Sequence, residues 1–232
     1  MKTIGLLGGM SWESTASYYR ALNEGIKAKL GGLHSAKICL VSVDFHEIER
    51  LQMAGDWEGA GRALAAAAAR VEAGGADFLL LCTNTMHKVA ETIQAATSLP
   101  LLHIADATAA VLQAEGVTRV GLLGTRFTME EDFYRGRIQE GFGIEVLVPD
   151  TEDQQRISAV IYDELCLGAI NGESRDYYLR CIDELAARGA QGIILGCTEI
   201  ALLVQQSHTH VPLYDTTSLH AAAAVRACLT DD

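Results

Sequence analysis

The chain has 232 residues, 49% of them apolar and 21% charged, and a formal net charge of −12. At roughly 150 residues per domain that length admits one large or two small domains with a real core. The acidic balance excludes a phosphate-backbone binder, which concentrates Lys and Arg on one face, so binding of an anionic substrate has to come from a local site. In chain order the pattern predicts a strand at 3–8, a helix at 13–29, a strand at 37–43, a helix at 57–73 and a strand at 77–81. A helix at 87–96, a strand at 100–103, a helix at 106–115, a strand at 119–123, a helix at 128–141 and a strand at 144–147 come next. Helices at 154–167 and 174–188, a strand at 191–195, a helix at 199–206, a strand at 212–214 and a helix at 217–229 complete the series. The strands are too apolar to alternate, as parallel strands covered on both faces should be. Gly31-Gly32, Gly74-Gly75 and Gly189 fall where helices stop. This βαβ rhythm predicts a parallel α/β fold.

No apolar stretch reaches the ~20 residues of a spanning helix, and Gly5, Gly8 and Gly9 break the start too early for a signal peptide. Six cysteines without a C-x-x-C suggest neither a disulfide scaffold nor a zinc knuckle. A reduced, cytoplasmic compartment is expected, with neither nucleic acid nor membrane as partner and no metal site.

The chain also repeats itself. Ile4-Gly5-Leu6-Leu7-Gly8-Gly9 returns 116 residues later as Val120-Gly121-Leu122-Leu123-Gly124-Thr125. The run from Gly75 to Thr85 matches Gly189 to Glu199 at an offset of 114, and Leu99-Pro100-Leu101 matches Val211-Pro212-Leu213 at 112. Two copies of one α/β unit are expected. The repeat sets Thr83 opposite Cys197, each just after a buried strand, on the edge where parallel sheets bind ligands. Asn84-Thr85 and Thr198-Glu199 follow them, and backbone N–H groups at a helix start favour an anion there. Two such lobes facing each other would put proton-active groups on opposite sides of one carboxylate-bearing carbon, a geometry for inverting it.

At these residues the sequence resembles the aspartate/glutamate racemase family, the cofactor-independent amino-acid racemases. The resemblance rests on residues 5–15, Gly-Leu-Leu-Gly-Gly-Met-Ser-Trp-Glu-Ser-Thr, on Cys82-Thr83-Asn84-Thr85-Met86-His87, and on Gly196-Cys197-Thr198-Glu199. It implies two pseudo-symmetric α/β lobes with the active site in the cleft and the C-terminal segment returned to the first lobe. The lobes would then be 1–101 plus 212–232, and 102–211. It also implies a homodimer acting on a small amino acid without a cofactor. Most of the family carries Cys-Asn-Thr in the first lobe. Here Thr83 takes the place of that thiol, and Cys82, one residue early, faces the opposite side of its strand and packs in the core. This Thr/Cys pattern resembles the L-aspartate/glutamate-specific racemases, whose close relatives include broad-specificity enzymes.

By that resemblance Cys197 is the base toward the L-enantiomer, its free pKa of roughly 8.5 lowered at a helix N-terminus, and Thr83 is the acid on the other face. The substrate carboxylate is expected on Asn84, Thr85 and Thr198, with Met10 and Thr125 bordering the cleft, Gln52 near the distal end, and Glu199 either orienting Cys197 or favouring the helix start. Acid-specific relatives often carry a Lys where this chain has Leu167, so one positive anchor is missing. Arg50 or Lys88 would have to compensate, or the substrate is a neutral amino acid such as homoserine. His87, one turn into the helix after Thr83, reads as a helix-surface residue or else as a group supporting the site from behind, while His103 and Asp106 read as structural or cleft-lining. His208-Thr209-His210 reads as a polar loop, and Cys39, Cys166, Cys181 and Cys228 as packing. Trp12, Tyr18 and Tyr19 are expected between helix and sheet or against another subunit. Three alternatives stay open: a single-Cys decarboxylase or isomerase of the same superfamily, a dinucleotide-dependent oxidoreductase (poorly served by Gly5-x-x-Gly8-Gly9), and a non-catalytic amino-acid sensor.

Overall fold

The computed structural model describes residues 1–230. Two compact units divide the chain, one of Met1–Ile104 together with the segment from His220 onward, the other of Ala105–Leu219. In the first unit, strands β1 (Ile4–Gly8), β2 (Ile38–Ser42) and β3 (Phe78–Leu81) form a parallel sheet in the order β2-β1-β3. Helices α1 (Trp12–Leu30), α2 (Phe45–Met53), α3 (Trp57–Ala73) and α4 (Ala90–Ala95) belong to this unit. In the second, β4 (Arg119–Gly124), β5 (Glu145–Leu147), β6 (Ile193–Gly196) and β7 (Leu213–Asp215) form a parallel sheet in the order β5-β4-β6-β7. Around it run α5 (Ile104–Ala114), α6 (Arg126–Glu130), α7 (Arg135–Phe142), α8 (Thr151–Asp163), α9 (Gly172–Ala187) and α10 (Ile200–Leu203). Helix α11 (Thr216–Leu229) begins in the second unit and continues in the first.

The two sheets share one wiring. In each, the first strand lies between the second and the third, and Leu7 pairs with Leu81 as Leu123 pairs with Leu195. Period-two alternation sorts the first sheet onto two cores. Leu7, Leu79 and Leu81 pack with Leu64, Ala67, Ala68 and Val71 of α3. Ile4, Leu6, Phe78, Leu80 and Cys82 pack with Tyr18, Leu22 and Ile26 of α1 and with Ala221, Ala224, Val225 and Cys228 of α11. The alanine-rich faces of α3 and α11 let their backbones approach the sheet closely. Burying each such Leu fully contributes about 1.5–3 kcal/mol.

Several elements differ from the sequence pattern. The strand expected at 100–103 shrinks to a single bridge between Leu79 and Leu101, because Pro100 has no N–H to donate and the chain turns into α5 at Ile104. The helix expected at 128–141 is two, α6 and α7, and the break between them turns Tyr134 fully into the core. The helix expected at 154–167 ends at Asp163, and Leu165–Leu167 form a 3-10 turn. That expected at 199–206 is the four-residue α10 followed by a 3-10 turn at Gln206–His208. Helix α2, which is not among the expected elements, starts at Asp44, whose side chain accepts the His46 N–H. Residues 212–219, grouped with the first lobe by the resemblance, lie in the second unit, where β7 pairs with β6.

Candidate active site

Both candidate proton-transfer residues sit just past the end of a strand. In the first unit, Gly9 leaves β1 with φ +93, and a Cβ there would lie 2.2 Å from the Val43 carbonyl, so only glycine lets the chain pass. Gly9 N–H donates to Thr15 Oγ1 at 2.8 Å, and Ser11 caps α1 by accepting the Ser14 N–H. Met10 is buried beside them. Ser14 Oγ in turn donates to the Cys82 carbonyl at 2.9 Å, tying the start of α1 to the end of β3. Cys82 itself is fully buried, and burial pushes its thiol far above the ordinary range.

Thr83 follows, partly buried, and Asn84 and Thr85 are buried at the start of a 3-10 turn, Thr85–Val89. Gln52 reaches the same turn from α2, its Nε2 donating to Met86 Sδ at 2.7 Å. Gln52 is 4% exposed, and its Oε1 accepts no hydrogen bond among the described residues. The first unit thus brings Gln52 onto the 3-10 turn that Thr83, Asn84 and Thr85 lead into, and places Met10 at the head of α1.

The second unit repeats the arrangement with other residues. Gly124 and Gly196 are paired across β4 and β6, so Thr125 and Cys197 leave neighbouring strand ends. A Cβ at Gly196 would lie 2.9 Å from the Leu123 carbonyl, which keeps this exit narrow. Thr125 is buried and caps α6, accepting the Thr128 N–H at 3.4 Å. Cys197 Sγ donates to Glu199 Oε2 at 2.9 Å, and Thr198 Oγ1 donates to the same oxygen at 2.5 Å. Glu199 is 5% exposed.

This geometry reverses one expectation. Burial raises the Cys197 thiol well above its ordinary value, and the charges of Glu199 and then Cys166 push in the same direction. Helix α10 has four residues and supplies little dipole, while the carboxylate beside the sulfur opposes a thiolate. At rest Cys197 is a neutral thiol that already points its proton at a carboxylate.

Other sequence assignments sort as follows. Leu167 is 76% exposed in its 3-10 turn. Arg50 is exposed, and Lys88 holds its Nζ 3.9 Å above the Trp57 ring. Asp106 forms a bidentate pair with Arg137, and His208 Nδ1 accepts the Gln205 N–H. Tyr18 is buried, but Trp12 and Tyr19 are exposed on the chain as it stands. Cys181 and Cys228 are buried, whereas Cys39 and Cys166 are only partly so. His87 is not on the surface: it is 2% exposed, its ring 4.4 Å from that of the buried His103. The signal for His87 and Ser14 was their place inside the two polar runs that flank β1 and β3.

Two parallel sheets of one wiring, each ending in a polar turn, place the chain in the racemase class of isomerases once known proteins are compared. A family model described as Asp/Glu/Hydantoin racemase matches residues 7–224, and the chain belongs to that family. A candidate Asp/Glu racemase from Yersinia pestis, known from its crystal structure, is 57% identical with a TM-score of 0.93, covering 99% of this chain and 100% of that one. The structure of an aspartate racemase homologue from Pyrococcus horikoshii OT3 is 32% identical with a TM-score of 0.85, covering 99% and 100%. The broad specificity amino-acid racemase RacX of Bacillus subtilis (strain 168) is 27% identical over 172 residues, 72% of each chain.

Proposed function

We propose that this protein is a cofactor-independent racemase that inverts the α-carbon of L-aspartate or L-glutamate by two-base proton transfer. The observation that carries the reading is the Cys197 thiol donating to the Glu199 carboxylate at 2.9 Å, which gives the sulfur's proton a destination. Glu199 takes that proton as substrate binds. The thiolate then removes the α-hydrogen of the L-enantiomer, leaving its electron pair on the α-carbon and spread into the carboxylate. Thr83 returns a proton to the opposite face and recovers its own from solvent, while Cys197 keeps the abstracted proton and Glu199 gives its proton to solvent, which restores the resting pair. Main-chain N–H groups after β3 and β6, with Asn84, Thr85 and Thr198, hold the carboxylate and stabilise the charge that builds on it. Met10, Gln52 and Thr125 bound the substrate. The reading requires Thr83 and Cys197 to reach opposite faces of one carbon.

A hydroxyl is a weak general base near neutral pH, so turnover starting from the D-enantiomer is slow. The enantiomers are equal in energy, however, so kcat/KM must be the same in both directions, and apparent L-preference arises from saturation. The Yersinia pestis relative supports a dicarboxylic substrate. The exposed Leu167, with no cation in its place, favours a second reading, in which neutral amino acids such as homoserine are turned over as well. The proposal includes a cytoplasmic homodimer with neither nucleic-acid nor membrane partner. No helix among the described residues is long and apolar enough to cross a membrane.

The test is incubation of the protein with single L-amino acids in D₂O, following the α-proton by NMR and the D-product by chiral chromatography. Exchange with inversion, abolished in Cys197→Ala, is expected. Exchange without inversion in the unaltered protein would remove Thr83 from the mechanism and favour a single-Cys carbanion enzyme. No exchange with any amino acid would overturn the racemase reading.

A further inference from the structure

His87 takes no part in the proton transfers proposed above, yet it touches the residue proposed as proton donor. Its Nδ1 lies 2.8 Å from the Thr83 carbonyl oxygen. A carbonyl only accepts, so the ring proton is on Nδ1 and Nε2 carries a lone pair. That lone pair accepts the Ile104 N–H at 3.3 Å. The imidazole is therefore satisfied at both ends as one neutral tautomer. Burial, with His103 and His220 nearby, holds it neutral against the pull of the Thr83 and Asn84 backbone. It neither gives nor takes a proton near neutral pH.

The bond to Thr83 replaces one that the backbone does not make. The turn after Asn84 is 3-10, so the His87 N–H goes to the Asn84 carbonyl, and the side chain supplies a donor to Thr83 instead. In a trans peptide the carbonyl and the following N–H point in opposite directions. Fixing the Thr83 carbonyl toward His87 therefore fixes the Asn84 N–H away from it and sets the backbone from which the Thr83 hydroxyl projects. Ser14 holds the preceding carbonyl, that of Cys82, so two consecutive peptide units are clamped from opposite elements. The far side of the ring is anchored too. His220 Nε2 donates to the Leu102 carbonyl, and its Nδ1 accepts from Tyr18 Oη, both at 2.8 Å, so the 102–104 segment that His87 leans on is itself held.

We infer that His87 is a positioning residue for the Thr83 face of the reaction, acting through the hydrogen bond from its Nδ1 to the Thr83 carbonyl. The inference rests on the proposed role of Thr83, and its consequence is one-sided. Proton abstraction by Cys197 does not pass through His87, whereas reprotonation from Thr83 does.

The experiment compares the unaltered protein with His87→Ala, His87→Asn and His87→Gln in D₂O, scoring α-proton exchange of the L-enantiomer separately from D-product formation. His87→Ala is expected to lower inversion about 100-fold, the scale of loss for a misplaced reacting group, while exchange stays near the unaltered rate. Asn places an amide N–H near the Nδ1 position and is expected to restore inversion; Gln extends toward the Nε2 position and is not. Equal losses of exchange and inversion, or equal rescue by Asn and Gln, would overturn the assignment and leave His87 a packing residue. If His87→Ala fails to fold, the Asn and Gln pair decides alone, and failure of both to fold would also overturn it. Absence of Cys197-dependent exchange in the unaltered protein is a distinct result that removes the racemase reading and this inference together.

Discussion

Glu199 faces two demands that pull against each other. In the proposed mechanism its carboxylate, which accepts the Cys197 hydrogen bond, takes the thiol proton, and its charge makes the resulting thiolate harder to form. The rate from the L-enantiomer is therefore expected to rise with pH through a thiol pKa lying above the ordinary one. In Glu199→Gln the opposing charge is gone, so the rising limb of kcat/KM moves to lower pH. The internal proton acceptor is gone as well, so the rate well below that limb loses its Glu199-dependent part, while the plateau, where solvent has ionised the thiol, changes little. A pH–rate profile of the variant checks both; an unmoved limb would reduce Glu199 to a feature of the helix start. The place of Thr83 and Cys197 just past two buried strands was legible in the sequence, because the repeat superimposes them. The direction of the thiol shift was not, since it depends on α10 stopping after four residues and on the rotamer of Glu199. The surface reading of His87 failed for a related reason. A continuous α-helix beginning at that point would turn it outward, while the 3-10 turn swings it against His103.

Among the elements, α2 links capping to the site. It has nine residues, and only Ile48 and Gln52 are buried along it. Phe45, Ile48 and Leu51 do recur at helical spacing and pack on the core, so the signal was present, but it spans only nine residues between Asp44 and Gly55 and is easily passed over beside the longer α1 with Tyr18, Leu22 and Ile26. Asp44 starts it by accepting the His46 N–H at 3.1 Å. Removing that cap in Asp44→Ala should cost about 0.5–2 kcal/mol of stability, read from urea denaturation. Because α2 delivers Gln52 to the turn after β3, the same change should raise KM more than it lowers kcat. Equal stability, or kcat falling with KM unchanged, would separate α2 from substrate contact. The parallel order of strands and helices was readable apart from α2, the bridge at Leu101 and the division into α6 and α7, whereas the ends of short elements were set by caps and by Pro100 in their folded setting.

For the molecule as a whole, buried imidazoles set the acid limit of stability. His220 is held down to about 4 by burial, partly offset by the Leu102 carbonyl, and His87 is lowered as well. The groups around them are Tyr18 from α1, which donates to His220, and His103. An unfolded histidine titrates near 6.5, so below that pH the unfolded chain binds protons that the folded chain refuses. Stability is thus full above pH 6.5 and falls as the pH drops toward 4, by about 3 kcal/mol for His220 if its proton is fully excluded. Urea midpoints measured across that window should decline, and His220→Gln should flatten the decline even though it lowers stability at neutral pH. A variant profile parallel to the unaltered one would assign the acid sensitivity to the carboxylates instead.

The path of α11 has a consequence for biosynthesis. The second unit is one uninterrupted stretch, Ala105–Leu219, but the first is completed only by the residues from His220 on. A ribosome therefore delivers every strand of the first sheet early and the helix that covers one of its faces last. Until Ala221, Ala224, Val225 and Cys228 emerge, Ile4, Leu6, Phe78, Leu80 and Cys82 lack part of their cover. The unit made second can close before the unit begun first. A chain truncated just before His220 and released from the ribosome should hold a folded second unit beside an N-terminal sheet that still attracts chaperones.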